Sequence, residues 1–181
     1  MRALLLLICV CLNFVTAAQQ VYEVKNGTVR FNSEAPQELI HASSDQLAGI
    51  IDPVKKTFAF RVSIASFMGF NSPLQREHFN ENYMESSLYP EAFFRGKIIE
   101  DVDLTADGEY HVRTKGKLKI HGLEQERIIR AIVTTRDGKM SVRSDFEVFL
   151  ADYNIKIPRV VNEKLSPKID VSVTATLAPR N

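Results

Sequence analysis

The run Tyr110-His111-Val112-Arg113-Thr114-Lys115-Gly116-Lys117-Leu118-Lys119-Ile120-His121 alternates from end to end, with uncharged residues at even positions and basic or imidazole side chains at odd ones. A β-strand turns successive side chains to opposite faces, so this spacing gives one dry face and one wet face. The same period recurs in Phe58, Phe60, Val62 and Ile64, in Met140, Val142, Ser144, Phe146 and Val148, and in Ile169, Val171, Val173, Ala175 and Leu177. All four runs read as strands. Less regular strand candidates cover 21–25, 28–32, 39–51, 93–100 and 123–135.

Between these runs stand turn dipeptides: Asn26-Gly27, Asp52-Pro53, Asp107-Gly108, His121-Gly122 and Asp137-Gly138. Such pairs favour tight hairpins, although Asn26-Gly27-Thr28 also fits a glycosylation sequon. Numerous strands joined this tightly form an antiparallel meander that must close or stack to bury its dry side. The fold class expected is therefore all-β, an antiparallel barrel of about eight strands, since closure also removes sheet edges. A two-sheet sandwich is the alternative. Helix is scarce. Leu74, Phe79 and Met84, with polar residues between them, give a short amphipathic helix inserted between two strands, with Ser72 as N-cap and Pro73 at its first position. The aromatic-rich segment around it, Phe67 to Phe94, reads as a flap over an apolar cavity. A helical turn is also expected within 157–167.

Met1-Arg2, an apolar run from Ala3 to Val15 and the small residues Ala17 and Ala18 have the layout of a secretory signal peptide over 1–18. The domain itself would then be 19–181. Both cysteines, Cys9 and Cys11, fall inside the leader, so the exported domain would carry neither disulfide nor thiol chemistry. Its remaining apolar segments are too short for stable membrane insertion by helices. The full chain has 23 Lys+Arg against 22 Asp+Glu, and losing Arg2 balances the signs. No nucleic-acid partner is expected without a basic excess.

Taken together, Arg76-Glu77-His78-Phe79, Tyr89-Pro90-Glu91-Ala92-Phe93-Phe94 and Gly116-x-Leu118-x-Ile120-x-Gly122 closely resemble the YceI-like family of exported proteins, over nearly the whole domain. The resemblance implies a lipocalin-like barrel holding a long apolar ligand, with polyisoprenoids such as isoprenoid quinones as the ligand class, and it favours a periplasmic location. Where the family often has a run rich in leucine and serine, this chain has Phe79-Asn80-Glu81-Asn82-Tyr83 after the histidine. Ligand identity therefore does not carry over.

A barrel of this size either fills with side chains or encloses one small ligand. Strand parity or flap position makes Phe60, Val62, Phe67, Phe70, Phe79, Tyr83, Phe94, Val112 and Phe146 candidate ligand-binding residues, and small Thr114, Gly116 and Ser144 would leave space between them. Ordinary core packing explains the aromatics equally well, and strain relief in a curved strand explains Gly116 and Gly96. Each methylene buried in such a pocket contributes about 0.8 kcal/mol before ordering costs. His78 is expected to tie the flap to a neighbouring strand, with acid–base chemistry as the weaker reading. No metal-ligand spacing, nucleophile elbow or phosphate loop is present, so neither an enzyme nor a cofactor requirement is expected. The partner expected is an apolar lipid. A fully packed barrel presenting Glu81, Tyr83 and Glu85 to another protein is the competing reading, and the sequence leaves a homodimer open.

Overall fold

The computed structural model describes residues 20–180; the signal-peptide reading and both cysteines lie outside the described residues. Eight strands in chain order close into an antiparallel barrel: β1 (Tyr22–Glu34), β2 (Leu39–Asp52), β3 (Thr57–Ser63), β4 (Glu91–Ile98), β5 (Gly108–Ile120), β6 (Leu123–Arg136), β7 (Lys139–Phe149) and β8 (Lys168–Pro179). Closure pairs β1 with β8, with Val29 opposite Val173 and Phe31 opposite Val171. The sandwich alternative is excluded. His121-Gly122 and Asp137-Gly138 form two-residue hairpins, each with both residues at positive φ (49° and 78°, 50° and 71°), the twist that right-handed strand pairs need.

Two of the expected turns are something else. Asn26-Gly27 lies inside β1, where three β1 residues span what two β2 residues span between Val24↔Gly49 and Gly27↔Leu47. A bulge in β2 then restores the count between Gly27↔Leu47 and Val29↔Ser44. Side chains stabilise it: Gln46 N–H donates to Ser44 Oγ (3.1 Å) and Thr28 Oγ1 to Asp45 Oδ1 (2.8 Å). Each bulge flips strand parity, so inward positions change from Tyr22 and Val24 to Val29, Phe31 and Ser33. Asp107-Gly108 is likewise no hairpin; it ends a loop after β4 whose Leu104 is fully buried and accepts a hydrogen bond from Thr135 Oγ1 (3.0 Å).

That loop seals one end of the barrel. Leu104, Met140 and Leu177 are completely buried there, and Val133 and Ile51, nearly so, form the floor of the space above. The opposite end carries the β1–β2 and β5–β6 hairpins and two long excursions, 64–90 and 150–167. The first holds helix α1 (Pro73–His78), which begins as expected, Ser72 Oγ accepting from Gln75 N–H (3.1 Å) ahead of Pro73. It runs on into a π-turn, Phe79–Tyr83, closed by Met84 N–H to Phe79 O (2.9 Å). The second excursion contains 3₁₀ turns at Leu150–Tyr153 and Arg159–Val161.

On the outer surface the Lys-rich face of β5 is paired across to β6, Lys115 with Glu126 (3.1 Å) and Lys117 with Glu124 (3.3 Å). Gly96 and Gly116 face each other between β4 and β5. A Cβ on Gly96 would stand 2.1 Å from Lys115 O, and one on Gly116 2.4 Å from Arg95 O, so here the missing side chain serves close strand approach.

Candidate functional site: an apolar cavity under a helical flap

Between the sealed end and the flap the barrel is hollow. The cavity measures about 540 Å³, within the roughly 300–1,000 Å³ typical of ligand pockets. Its wall is almost wholly apolar, built by inward positions of every strand: Phe31 from β1, Ile40 and Leu47 from β2, Phe58, Phe60 and Val62 from β3, Phe94 and Ile98 from β4, and Leu118, Ile129, Phe146 and Val171 from β5 to β8. The two small polar residues on the strand wall spend their hydroxyls on the barrel itself. Thr114 Oγ1 donates to Ile129 O (2.8 Å) and Ser144 Oγ to Arg130 O (2.7 Å). Neither adds an unpaired polar group to the interior.

Four phenylalanines cluster where the flap meets the barrel. Phe79 lies 5.4 Å from Phe31 in a stacked arrangement, 5.8 Å from Phe67 and 5.1 Å from Phe70. Phe31 also touches Phe67 and Phe70, at 5.4 and 6.0 Å. Deeper in, Phe58 packs against Phe94 at 4.9 Å.

Polar contacts hold the flap at several points. Arg76 donates through Nε to Phe67 O (3.2 Å) and through Nη2 to Ala65 O (3.0 Å). Gln75 Nε2 donates to Glu38 Oε1 (2.9 Å) and Asn71 Nδ2 to Leu39 O (2.9 Å), tying the helix start to the β1–β2 hairpin. At the far end His121 stands between two acceptors, Nδ1 at 3.0 Å from Tyr153 O and Nε2 at 2.6 Å from Glu85 Oε2, with the Tyr89 ring edge-on to it at 4.7 Å. His121 is thus the histidine that anchors the flap. Among the described residues nothing hydrogen-bonds the exposed His78 ring; the tie to a neighbouring strand expected of it is made by Asn71 and Gln75 instead.

Of the residues singled out in the sequence, Phe60, Val62, Phe67, Phe70, His78, Phe79, Tyr83, Phe94, Thr114, Ser144 and Phe146 border this one cavity. Val112 and Gly116 do not: Val112 belongs to the packed core and Gly116 to the β4–β5 contact. Phe31 and Phe58 are walls that the reading did not single out. Phe58 carried the parity signal. Phe31 was hidden by the bulge, and the Val29-x-Phe31-x-Ser33 spacing after Asn26-Gly27 is the signal that finds it. Burial raises the Tyr83 phenol above its ordinary value, in keeping with a ring set against the apolar wall. Among the described residues no group of three His, Cys, Asp or Glu side chains could hold a metal ion, and no helix is long and apolar enough to cross a membrane.

The architecture has close counterparts. A polyisoprenoid-binding domain from Saccharophagus degradans superposes with a TM-score of 0.74 at 15% identity, covering 90% of this chain and 99% of that one. BcnA of Burkholderia cenocepacia gives 0.67 at 14% identity, with 83% and 95% covered, and the YceI protein of Campylobacter jejuni 0.56 at 13%, with 76% and 83% covered. No curated protein matches the sequence. Residues 17–177 match the YceI-like domain. With its motifs, barrel and flap all accounted for, the chain belongs to the YceI-like family.

Proposed function

We propose that this protein binds a long apolar lipid of the isoprenoid class inside its barrel and carries or stores it in the cell envelope, after export directed by residues 1–18. The single observation that supports this most is the cavity: about 540 Å³ of space walled mainly by phenylalanine and aliphatic side chains, with the Thr114 and Ser144 hydroxyls already bonded to the barrel. Such a space contributes free energy only by removing hydrocarbon from water, at about 0.8 kcal/mol per methylene. An isoprenoid chain offers that surface. The S. degradans relative is described as a polyisoprenoid-binding domain, which points to the same ligand class. The YceI-like domain is a binding fold, so the reading is binding without turnover. Family members are typically periplasmic, and that compartment is proposed here.

Organic extraction of protein purified from its native host, followed by mass spectrometry, tests the reading. A stoichiometric isoprenoid lipid is expected in the wild type, and none in a variant with Phe79 and Phe94 both replaced by Asp. An extract free of lipid, from a protein that also fails to take up added prenols, refutes it and favours a barrel acting through its surface.

A further inference from the structure

The barrel wall is not uniformly sewn. β6 and β7 pair only from Ile132↔Arg143 to Arg136↔Lys139, next to their hairpin. Both strands run on past that point, β6 back to Leu123 and β7 forward to Phe149, each fully paired with its other neighbour. Among the described residues no main-chain pair joins 123–131 to 144–149. Side chains span the interval instead: Ser144 Oγ donates to Arg130 O (2.7 Å) and Arg127 Nη2 to Glu147 O (2.7 Å). At its foot the Leu150–Tyr153 turn is wedged in, Gln125 Nε2 donating to Asp152 O (2.8 Å).

This seam opens onto the cavity. Ile129 and Ala131 on one bank and Ser144, Phe146 and Val148 on the other all line it. Two exposed apolar side chains flank it outside, Ile128 (59% exposed) and Phe149 (45% exposed), among the charged Glu124, Glu126, Arg130, Asp145 and Glu147. Apolar surface therefore stands on both sides of the unsewn wall, the hydrocarbon lining within and Ile128 and Phe149 outside.

Size supplies the occupant. At roughly 30 Å³ for a group of water or methylene size, the 540 Å³ cavity holds on the order of 18 such groups. A longer chain must project. The mouth is crossed by the flap and by the 159–165 segment, both latched to the β1–β2 hairpin through polar contacts, Gln75 to Glu38 and Gln37 to Glu163 (2.6 Å). At the seam no main-chain ladder has to break: side-chain contacts bridge it, the three hydrogen bonds above and an ion pair between Arg127 and Asp152 (3.9 Å). We propose that the β6–β7 seam is a lateral port through which the distal part of a long prenyl chain leaves the cavity and lies against Ile128 and Phe149. This rests on the lipid-binding reading above and adds that chain length beyond the cavity is accommodated sideways.

The test uses the full chain with Cys9 and Cys11 changed to Ser and Ile128→Cys carrying an environment-sensitive fluorophore, with a Lys117→Cys conjugate on the β5 outer face as control. Farnesol and solanesol are the probes, one shorter and one much longer than the cavity, and native mass spectrometry counts what is bound. Solanesol is expected to shift the emission of the Ile128→Cys conjugate to the blue, while farnesol leaves it unchanged and the control is silent to both. Bound solanesol without a shift, or an equal shift with farnesol, overturns the port but leaves the lipid-binding reading standing. Failure of both prenols to bind overturns both.

Discussion

Replacing Phe79 with alanine tests how the flap is held shut. The Phe79 ring has three aromatic neighbours at 5.1 to 5.8 Å, and such pairs contribute about 0.5–1.5 kcal/mol each beyond area burial. The three share one cluster and the ring is only partly buried, so their joint loss is less than the sum, about 2–3 kcal/mol. At about 1.4 kcal/mol per tenfold, the equilibrium between closed and locally open flap shifts by roughly thirty- to a hundred-and-fortyfold. Barrel strands are held by their own ladders and should not feel it. Amide hydrogen exchange followed by mass spectrometry reads this directly: peptides spanning 72–88 exchange faster in Phe79→Ala by that factor, peptides from β5 and β8 do not, and bound lipid dissociates faster in parallel. Unchanged flap exchange refutes the idea that the aromatic cluster, rather than the Arg76, Gln75 and His121 contacts, controls closure. Equal acceleration everywhere makes Phe79 a core residue of the whole fold.

Further outcomes follow from other parts of the barrel. Gly96→Ala forces a Cβ to within 2.1 Å of Lys115 O, a backbone atom that cannot swing aside, so destabilisation of about 1–3 kcal/mol is expected in urea titrations; a change under 1 kcal/mol refutes the close-approach reading. Ala131→Phe fills the cavity from a nearly buried wall position, and its product should extract free of lipid while melting within a few degrees of wild type. Retained lipid would show that the ligand lies elsewhere. Hydrogen bonds from the Arg113 side chain and its N–H hold the Glu100 carboxyl below its ordinary value of 4.5. A carboxyl depressed in the folded state contributes stability above its unfolded value and loses it as pH falls through its folded one. Wild-type stability should therefore decline as pH drops below about 4.5, and Glu100→Gln should flatten that decline, as measured by denaturant midpoints between pH 7 and pH 3.

Much of the barrel was legible because inward and outward faces meet opposite solvents. β5 shows its alternation without interruption, and β3, β7 and β8 repeat it, so strand number and closure follow from period and turn chemistry. Local rules were harder to read where tertiary contacts override them. Asn26-Gly27 has the composition of a hairpin turn, yet β2 and β8 on either side hold it in one strand as a bulge, and the resulting parity change hid Phe31. The polar look of 101–107 concealed Leu104, which reads as loop and acts as a plug. The anchoring role went to His121 because Glu85 lies 36 residues away, a separation no motif spans. Periodicity also says nothing about which strand edges find partners, so the β6–β7 seam had no signature in the chain.

The most direct measurement is a crystallographic map of the protein purified without delipidation. Continuous tubular density between the Phe58–Phe94 pair and Phe146, rising toward Phe79, is the expected result. A collapsed interior, with Phe146 packed against that pair and no unassigned density beside it, overturns the binding reading.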